Sequence, residues 1–308
     1  MILAVTLPFF ALILLGYVAA RRDWVPTSAV PAFNGFLLYF AVPAMLFRFA
    51  ANTPFEELVN ARFFAAWGLT GMVVVLIVAA IARRFTDAGN AAFLGLAGAV
   101  SNAGFMGVPM LVGLLGEAAA APVILAIVAD LLIVSTLGLT IVEMGGGKAE
   151  SRRERIREAA LRIALNPFLI AMLLGALFSR MSWSLPVPVA GIVKLLADAA
   201  GPCALFAIGV SLVRPDARLR EPLIALPIAA KLLLHPLAAW LAMRVFGIDP
   251  FSAMVAVLVA ALPSAGWVFI FAVRYEVDAG RISATILLST AIAFATFSAI
   301  AWLHGIGR

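Results

Sequence analysis

Ten long apolar segments constrain this 308-residue chain more than any other feature. A helix needs about 20 apolar residues to cross a bilayer. The mean hydropathy is +1.10 and only 12% of the residues are charged, against about 25% in soluble domains. The sequence therefore predicts an all-α polytopic membrane protein with ten transmembrane helices, and it excludes a soluble enzyme. The predicted spans are 2–20, 30–50, 63–82, 91–115, 119–144, 163–180, 190–213, 221–246, 251–273 and 281–304.

The distribution of basic residues predicts the orientation of these spans. Loops rich in Lys and Arg stay on the cytoplasmic side, and Arg21 and Arg22 follow the first span. With the N-terminus outside, the inner loops hold fifteen Lys and Arg residues, and the outer loops and C-terminus hold five. We expect a multi-pass protein of a bacterial inner membrane with both termini on the periplasmic side. The pI near 10.2 is then a topology signal, and no nucleic-acid partner is predicted.

Motifs for membrane-bound catalysis are missing from the sequence. It contains no Walker A loop, no HExxH or GxSxG motif and no cluster of His, Asp and Glu, and its one cysteine, Cys203, allows neither an internal disulfide nor a cysteine-built metal site. We therefore predict that the chain is not an enzyme and needs no metal or cofactor.

An internal repeat divides the chain into two halves of five spans each. The pattern P-F-x4-L-L-G occurs twice at an offset of 159 residues. Its matched positions include Pro8 with Pro167, Trp24 with Trp183, and Pro43 with Pro202. An odd number of spans makes the second half enter the membrane from the opposite side, which is an arrangement typical of secondary transporters. The predicted parts are a first repeat at 1–144, a basic cytoplasmic linker at 145–162 and a second, inverted repeat at 163–308.

The fourth and ninth spans are predicted to be broken near their centres. Proline removes a main-chain donor and clashes with the preceding turn, and irregular backbone at this depth is tolerated only within protein or beside water. Free amides at the starts of the half-helices would suit an anion. The candidate substrate-binding residues are Ser101, Asn102, Gly104 and Pro109 in span four and Pro263, Ser264 and Gly266 in span nine.

Two ionisable side chains fall in the middle of predicted spans. Asp130 lies in span five and Lys231 in span eight, with His235 one turn later. Charges at this depth cost about 3 kcal/mol or more and need partners, so Asp130 and Lys231 are the natural ion pair. Two interpretations stay open: the group takes up and releases a proton during transport, or it is a static salt bridge.

These segments resemble the auxin efflux carrier family, and most closely its bacterial branch, which includes malonate transporters. The resemblance covers essentially the whole chain. It is carried by Asn166-Pro167, the run Pro202-Cys203-Ala204-Leu205-Phe206-Ala207-Ile208-Gly209, the run Lys231-Leu232-Leu233-Leu234-His235-Pro236, the run from Ser101 to Pro109, and Leu262-Pro263.

The resemblance implies a fold like that of sodium/proton antiporters and bile-acid symporters, with broken spans four and nine crossing. It implies panel helices at 1–50 and 163–213, core helices at 63–144 and 221–304, and a homodimer through the panel. In plant members an asparagine at the span-four crossover contacts substrate, and Asn102 is the matching position. The segment 262–267 has no acid where sodium-coupled relatives place one, which disfavours sodium and leaves proton coupling or uniport.

The sequence thus favours a secondary transporter of a small organic anion, either a malonate-like dicarboxylate or an auxin-like monocarboxylate, working by an elevator-type motion in the lipid bilayer. The expected partners are the anion and a proton, with sodium as the other coupling ion considered. One alternative is a cation/proton antiporter without an organic substrate. Another is a membrane receptor that binds a ligand without moving it.

Overall fold

Helices account for all the regular structure of the described chain, apart from one isolated bridge. The computed structural model describes residues 2–144, 165, 167–211, 213, 219 and 221–306. The α-helices are α1 (Ile2–Arg21), α2 (Val30–Phe36), α3 (Val42–Asn52), α4 (Phe55–Leu58), α5 (Ala61–Ala82), α6 (Ala88–Ala99), α7 (Val108–Leu115), α8 (Ala120–Ala129), α9 (Ser135–Met144), α10 (Pro167–Met181), α11 (Val187–Ser211), α12 (Ala225–Ala229), α13 (His235–Val245), α14 (Pro250–Ala260), α15 (Trp267–Arg274) and α16 (Ala279–Leu303).

Within the described residues, six helical runs are long and apolar enough to cross a membrane, and shorter apolar helices accompany them. The six are Thr27–Asn52, Phe55–Ala82, Glu117–Gly138, Val187–Ser211, Pro222–Val245 and Ala279–Leu303. The prediction of an all-α polytopic membrane protein is confirmed at this level. The ten-span inverted topology stays a prediction, and the predicted basic linker at 145–162 lies outside the described residues.

Four π-helical turns interrupt the α-helices. They are Leu37–Ala41, Ala103–Gly107, Asp130–Val134 and Ala230–Leu234. Three of them end two residues before a proline, at Pro43, Pro109 and Pro236. A proline ring clashes with the carbonyl four residues back, and the wider π turn gives that carbonyl room. Such turns often mark functional positions in helices.

The first of two compact units contains residues Met1–Asn60, Gly104–Leu125 and Ala164–Pro215. Its main packing pairs are α1 with α11 and α10 with α3. The unit holds most of the panel ranges expected from the sequence, and it also holds Gly104–Leu125, which the sequence assigned to the core. The panel and core division itself stays a prediction.

Two glycines allow the close helix packing in this first unit. A Cβ atom at Gly16 of α1 would collide with the carbonyl oxygen of Phe206, and one at Gly175 of α10 would collide with that of Phe47. Gly16 and Gly175 are repeat partners at an offset of 159 residues, and so are Phe47 and Phe206. This reciprocity is what a two-fold-related pair of repeats requires, and it supports the predicted internal repeat.

The second unit contains residues Ala61–Ala103, Ala126–Ile163 and Asp216–Arg308. Helices α5, α6 and α9 pack together, and their buried core includes Val75, Phe93, Leu96, Val134 and Val268. The small residues of α6 bring its backbone close to α5, and every residue of α6 except Gly89 and Asn90 is buried. This tightly packed helix leads directly into the first break.

Polar contacts join three loop segments at one end of the second unit. The Arg281 guanidinium donates to Glu221 Oε1 at 2.6 Å and to Thr86 Oγ1 at 3.2 Å. The main-chain N–H of Asp278 donates to Asn90 Oδ1 at 2.7 Å. Arg281 and Glu221 thus form a partly buried ion pair.

Gly209 tests the close packing of α1 against α11. Gly209→Ala would drive a methyl group into the carbonyl of Ile13, and such overpacking costs about 2 kcal/mol. We expect the apparent melting temperature in detergent to fall by about 4 °C. Gly191→Ala is the matched control, because it lies in the same helix with nothing within 4 Å. The control should be neutral or stabilising, since alanine favours helix. Equal effects at both positions would contradict the close approach.

Candidate functional site

The two broken helices of the second unit hydrogen-bond to each other across their breaks. Helix α6 ends at Ala99 and α14 ends at Ala260. Ser101 and Ser264 form an antiparallel bridge. The N–H of Asn102 donates to Pro263 O at 2.9 Å, and the N–H of Ala265 donates to Val100 O at 3.1 Å. The backbone groups that each break frees are thus partly satisfied by the other break.

Pro263 explains why α14 stops where it does. Proline has no N–H to donate to the Val259 carbonyl, and its ring would clash with that carbonyl in a regular α-helix. The Val259 carbonyl instead accepts the N–H of Leu262 at 3.2 Å. The chain then runs irregularly to Gly266 before α15 begins. The first amides of a helix have no partner within it, and those of Gly266 and Trp267 make no main-chain hydrogen bond with the described residues.

Lys231 lies at the centre of this region and is completely buried. Its ammonium nitrogen is 2.8 Å from Ser101 Oγ, 2.6 Å from Ala260 O and 2.8 Å from His235 Nδ1. An ammonium group carries three hydrogens, so the three neighbours use its full donor capacity. Two of the three acceptors exist because helices are broken: Ser101 lies in the first break, and Ala260 ends α14 at the second.

Asp130 is also buried, and it begins the π turn between α8 and α9. Its Oδ1 accepts the indole N–H of Trp67 at 2.8 Å, and the Ser135 hydroxyl donates to its main-chain carbonyl at 2.6 Å. The Lys231 ammonium and the Ser101 main-chain amide are its other electrostatic neighbours.

The expected direct salt bridge between Asp130 and Lys231 does not form. Neither side chain bonds to the other within the described chain, although their charges act on each other. The reason is local. Lys231 uses its three hydrogens on Ser101, His235 and Ala260, and the main-chain N–H of Ser101 interacts with Asp130. Ser101 therefore links Asp130 and Lys231, because it interacts with both of them.

His235 completes the group with a nitrogen that has no partner. Since Lys231 donates to Nδ1, the neutral ring carries its hydrogen on Nε2, a tautomer assigned from the bonding pattern. Nε2 is buried and makes no hydrogen bond within the described chain. The imidazole lies over Trp67, with ring centroids 5.2 Å apart. Asp130, Trp67, His235, Lys231 and Ser101 thus form a closed ring of contacts, which we call the charge ring.

Asn102 and Ser101 offer hydrogen-bond donors beside this ring. Asn102 is only 4% exposed, and its side-chain amide has no partner among the described residues. Ser101 Oγ accepts from Lys231, which leaves its own hydroxyl hydrogen to donate. Ser264 differs, because its hydroxyl donates to Ala97 O at 2.6 Å and its N–H donates to Ser289 Oγ at 3.2 Å. Asn102 and Ser101 therefore have donors that no other described residue uses, whereas both donors of Ser264 are engaged within the second unit.

The structure brings most of the predicted site residues together in the second unit. Those that lie there are Ser101, Asn102, Pro263, Ser264, Gly266, Asp130, Lys231 and His235, whereas Gly104 and Pro109 belong to the first unit. A Cβ atom at Gly266 would meet nothing within 4 Å. A Cβ atom at Gly104 would meet only Phe168, at 3.8 Å. Pro109 packs against Gly201 of α11.

Sequence reasoning missed Trp67 and Ser289. Trp67 is fully buried near the middle of a long apolar run, whereas tryptophans of membrane helices are enriched at the interfaces. A buried indole N–H normally finds an acceptor, so a mid-span tryptophan could have indicated a polar partner such as Asp130. Nothing in the sequence indicated Ser289. No group of three or more His, Cys, Asp or Glu side chains that could hold a metal is found among the described residues.

Comparisons with known proteins agree with a transport site. The family described as "Membrane transport protein" matches residues 1–302. The chain belongs to this family of membrane transporters. A "Putative malonate transporter" from Rhizobium meliloti (strain 1021) is 38% identical over 307 residues, covering 98% of this chain and 95% of that protein.

More distant relatives extend the similarity to plants and archaea. An "Uncharacterized transporter" from Methanothermobacter thermautotrophicus is 26% identical, covering 92% of each chain. The "Probable auxin efflux carrier component 5a" from Oryza sativa subsp. japonica is 25% identical, covering 99% of this chain and 95% of that protein. The family resemblance predicted from the motifs is confirmed.

The charge ring predicts a non-additive response to substitution. Lys231→Met leaves Asp130 as a buried carboxylate without a cation, which costs about 3 kcal/mol. We expect the apparent melting temperature in detergent to fall by about 5 °C. The double variant Lys231→Met with Asp130→Asn restores neutrality and should recover at least half of that loss.

Lys194→Met is the matched control for this prediction. Lys194 pairs with Asp198 at 2.5 Å on the surface of α11, where the two side chains are 67% and 46% exposed. An exposed pair contributes at most about 1 kcal/mol, so the control should change stability little. Additive losses in the double variant would show that Asp130 and Lys231 are not coupled.

Proposed function

We propose that this protein is a secondary transporter of small carboxylate anions, with malonate as the first candidate substrate. The observation that carries the proposal is the Asn102 side chain, which is 4% exposed and has no hydrogen-bond partner among the described residues, at a point where two broken helices meet. It directly follows Ser101, whose Oγ accepts from the Lys231 ammonium. The "Putative malonate transporter" relative supports a dicarboxylate, and the rice relative supports organic anions more broadly.

Substrate binding follows from the donors at the break. A carboxylate accepts hydrogen bonds and gives none. The donors are the side-chain amide of the buried Asn102, the hydroxyl of the buried Ser101, and the main-chain N–H groups of the partly buried Gly266 and Trp267. Bonds between a charged group and such donors are about twice as strong as neutral ones. Pro263 and Ser264 keep the break open and in register for this role.

Proton coupling follows from the charge balance of the ring. Asp130 and Lys231 together are neutral, and an uncompensated anion in this dry region would cost several kcal/mol. A proton from water that binds the Asp130 carboxylate neutralises it, and the Lys231 charge then acts on the substrate alone. Loss of that proton restores the pair and weakens substrate binding. The proposed coupling is therefore proton symport, with His235 holding the third hydrogen of Lys231.

Alternating access is part of the proposal and rests on the predicted inverted repeat. The core helices would carry the site in an elevator-like motion against a panel that also forms a homodimer. The protein would lie in a bacterial inner membrane with both termini on the periplasmic side. The reciprocal contacts of Gly16 and Gly175 and the family membership support this arrangement.

Uptake of radiolabelled malonate into proteoliposomes tests the binding site. Asn102→Ala removes the free amide, and the loss of a hydrogen bond to a charged group costs about 2 kcal/mol. We expect the apparent affinity for malonate to fall about thirtyfold at equal reconstituted protein. The matched control Asn52→Ala changes an exposed residue at the end of α3 and should leave uptake unchanged. Uptake by Asn102→Ala with wild-type affinity would show that Asn102 does not bind the substrate.

The coupling step is tested separately with Asp130→Asn. The amide can still accept from Trp67, but it cannot take up a proton. We expect malonate counterflow, which needs no net proton movement, to continue, while accumulation driven by a pH gradient falls at least tenfold. Asp198→Asn is the matched control on the surface of α11. Gradient-driven accumulation at the wild-type level in Asp130→Asn would refute proton coupling through Asp130. Cation-dependent proton flux without carboxylate movement would favour the antiporter instead.

A further inference from the structure

A groove of about 450 Å³ lies in the second unit, away from the charge ring. It is formed where the end of α13, the start of α14 and the end of α16 meet. Ile248, Met254 and Val257 contribute apolar surface, while Trp240, Arg244 and His304 contribute polar or amphipathic groups. Neither the sequence motifs nor the proposed transport cycle uses this groove.

The groove contains a positive charge without an acidic partner. The Arg244 guanidinium lies over the Trp240 ring, 5.0 Å from its centroid, and it makes no ion pair within the described chain. The nearest acid in sequence, Asp249, is occupied as the cap of α14, where its Oδ1 accepts the Ser252 N–H at 2.8 Å. No carboxylate lines the groove. His304 Nδ1 donates to Ile300 O at 2.9 Å, and its Nε2 has no partner in the part of the chain that the structure describes.

The position of the groove matches the level of lipid headgroups. Arg244 lies in the last turn of the apolar run Pro222–Val245, and His304 directly follows the run Ala279–Leu303. Leu237, Leu241 and Val245 are exposed on α13 at intervals of one turn. A row of exposed apolar side chains leading to an arginine and a tryptophan is the pattern of a membrane-facing helix at the interface.

We propose that this groove binds an anionic phospholipid. The headgroup phosphate pairs with the Arg244 guanidinium, which presents donors in a fork suited to phosphate oxygens, and Trp240 fixes the guanidinium plane by stacking. An acyl chain lies along Ile248, Met254 and Val257. The ligand is therefore recognised by two features together, a negative headgroup and an attached apolar tail. This inference does not depend on the transported substrate.

Binding of short-chain lipids to the purified protein tests the proposal. The probes are dihexanoyl phosphatidylglycerol, dihexanoyl phosphatidylcholine and inorganic phosphate, and the readout is the apparent melting temperature in a neutral detergent. A ligand that binds only the folded protein raises this temperature with concentration. We expect a shift with phosphatidylglycerol, a several-fold weaker response to phosphatidylcholine and none with inorganic phosphate.

Arg244→Gln should weaken phosphatidylglycerol binding about tenfold, because it removes a charged hydrogen-bonding group. Arg180→Gln is the matched control, since Arg180 is also exposed in the last turn of a helix and stacks on an aromatic ring, that of Phe55. Arg244→Lys keeps the charge but not the forked arrangement of donors, and we expect an intermediate affinity for phosphatidylglycerol. This variant tests the proposal even if Arg244→Gln folds poorly.

Five outcomes would overturn the inference. Equal responses to the two lipids would exclude recognition of negative charge. A phosphate response equal to that of phosphatidylglycerol would make a free anion the ligand. Equal losses of phosphatidylglycerol affinity in the Arg244 and Arg180 variants would show that the groove is not the binding site. No shift in melting temperature with any lipid would show that no such site exists. Native mass spectrometry should show one fewer bound phosphatidylglycerol in Arg244→Gln, and an unchanged count would contradict the assignment to Arg244.

Discussion

The second unit is organised around an ammonium group that has no access to water. An unpaired charge in the interior would cost several kcal/mol, so Lys231 needs an acceptor for each of its three hydrogens. Two of these acceptors, Ser101 Oγ and Ala260 O, exist because the helices around them are broken. The lysine and the breaks thus require each other: the charge stabilises the irregular backbone, and the irregular backbone satisfies the charge.

The same constraint explains why the breaks occur as a pair. Within a bilayer, a broken helix exposes N–H and C=O groups that lipid cannot satisfy. Here Asn102 bonds to Pro263 and Ala265 bonds to Val100, around the bridge between Ser101 and Ser264. One break without the other would leave those groups unpaired. The predicted repeat of two similar halves would supply both breaks at similar depth, and the mutual hydrogen bonds would give such a repeat a structural reason beyond transport.

The sequence predicted the helices well because apolar runs and prolines act locally. All ten apolar segments contain helix, and the breaks fall at Ser101 and Pro263 as their prolines and glycines indicated. The site chemistry was less accessible, because it depends on partners far apart in the chain. Trp67 reaches Asp130, Lys231 reaches Ser101 rather than Asp130, and Ser264 gives its hydroxyl hydrogen to Ala97. Periodicity shows which face of a helix is buried, but not which acceptor a side chain will reach.

The distribution of donors and acceptors favours an anion carrier over a cation exchanger. A cation would need oxygen ligands without a competing positive charge, yet the Lys231 ammonium already acts on the Asp130 carboxylate. The groups left over at the break include several donors: the Asn102 side-chain NH2, the Ser101 hydroxyl and the main-chain N–H groups of Gly266 and Trp267. A fixed ammonium repels a second cation and attracts a carboxylate. In the proposed function, the region that keeps Lys231 buried would therefore also bind the negative substrate, and one charge would serve both the structure and the selectivity.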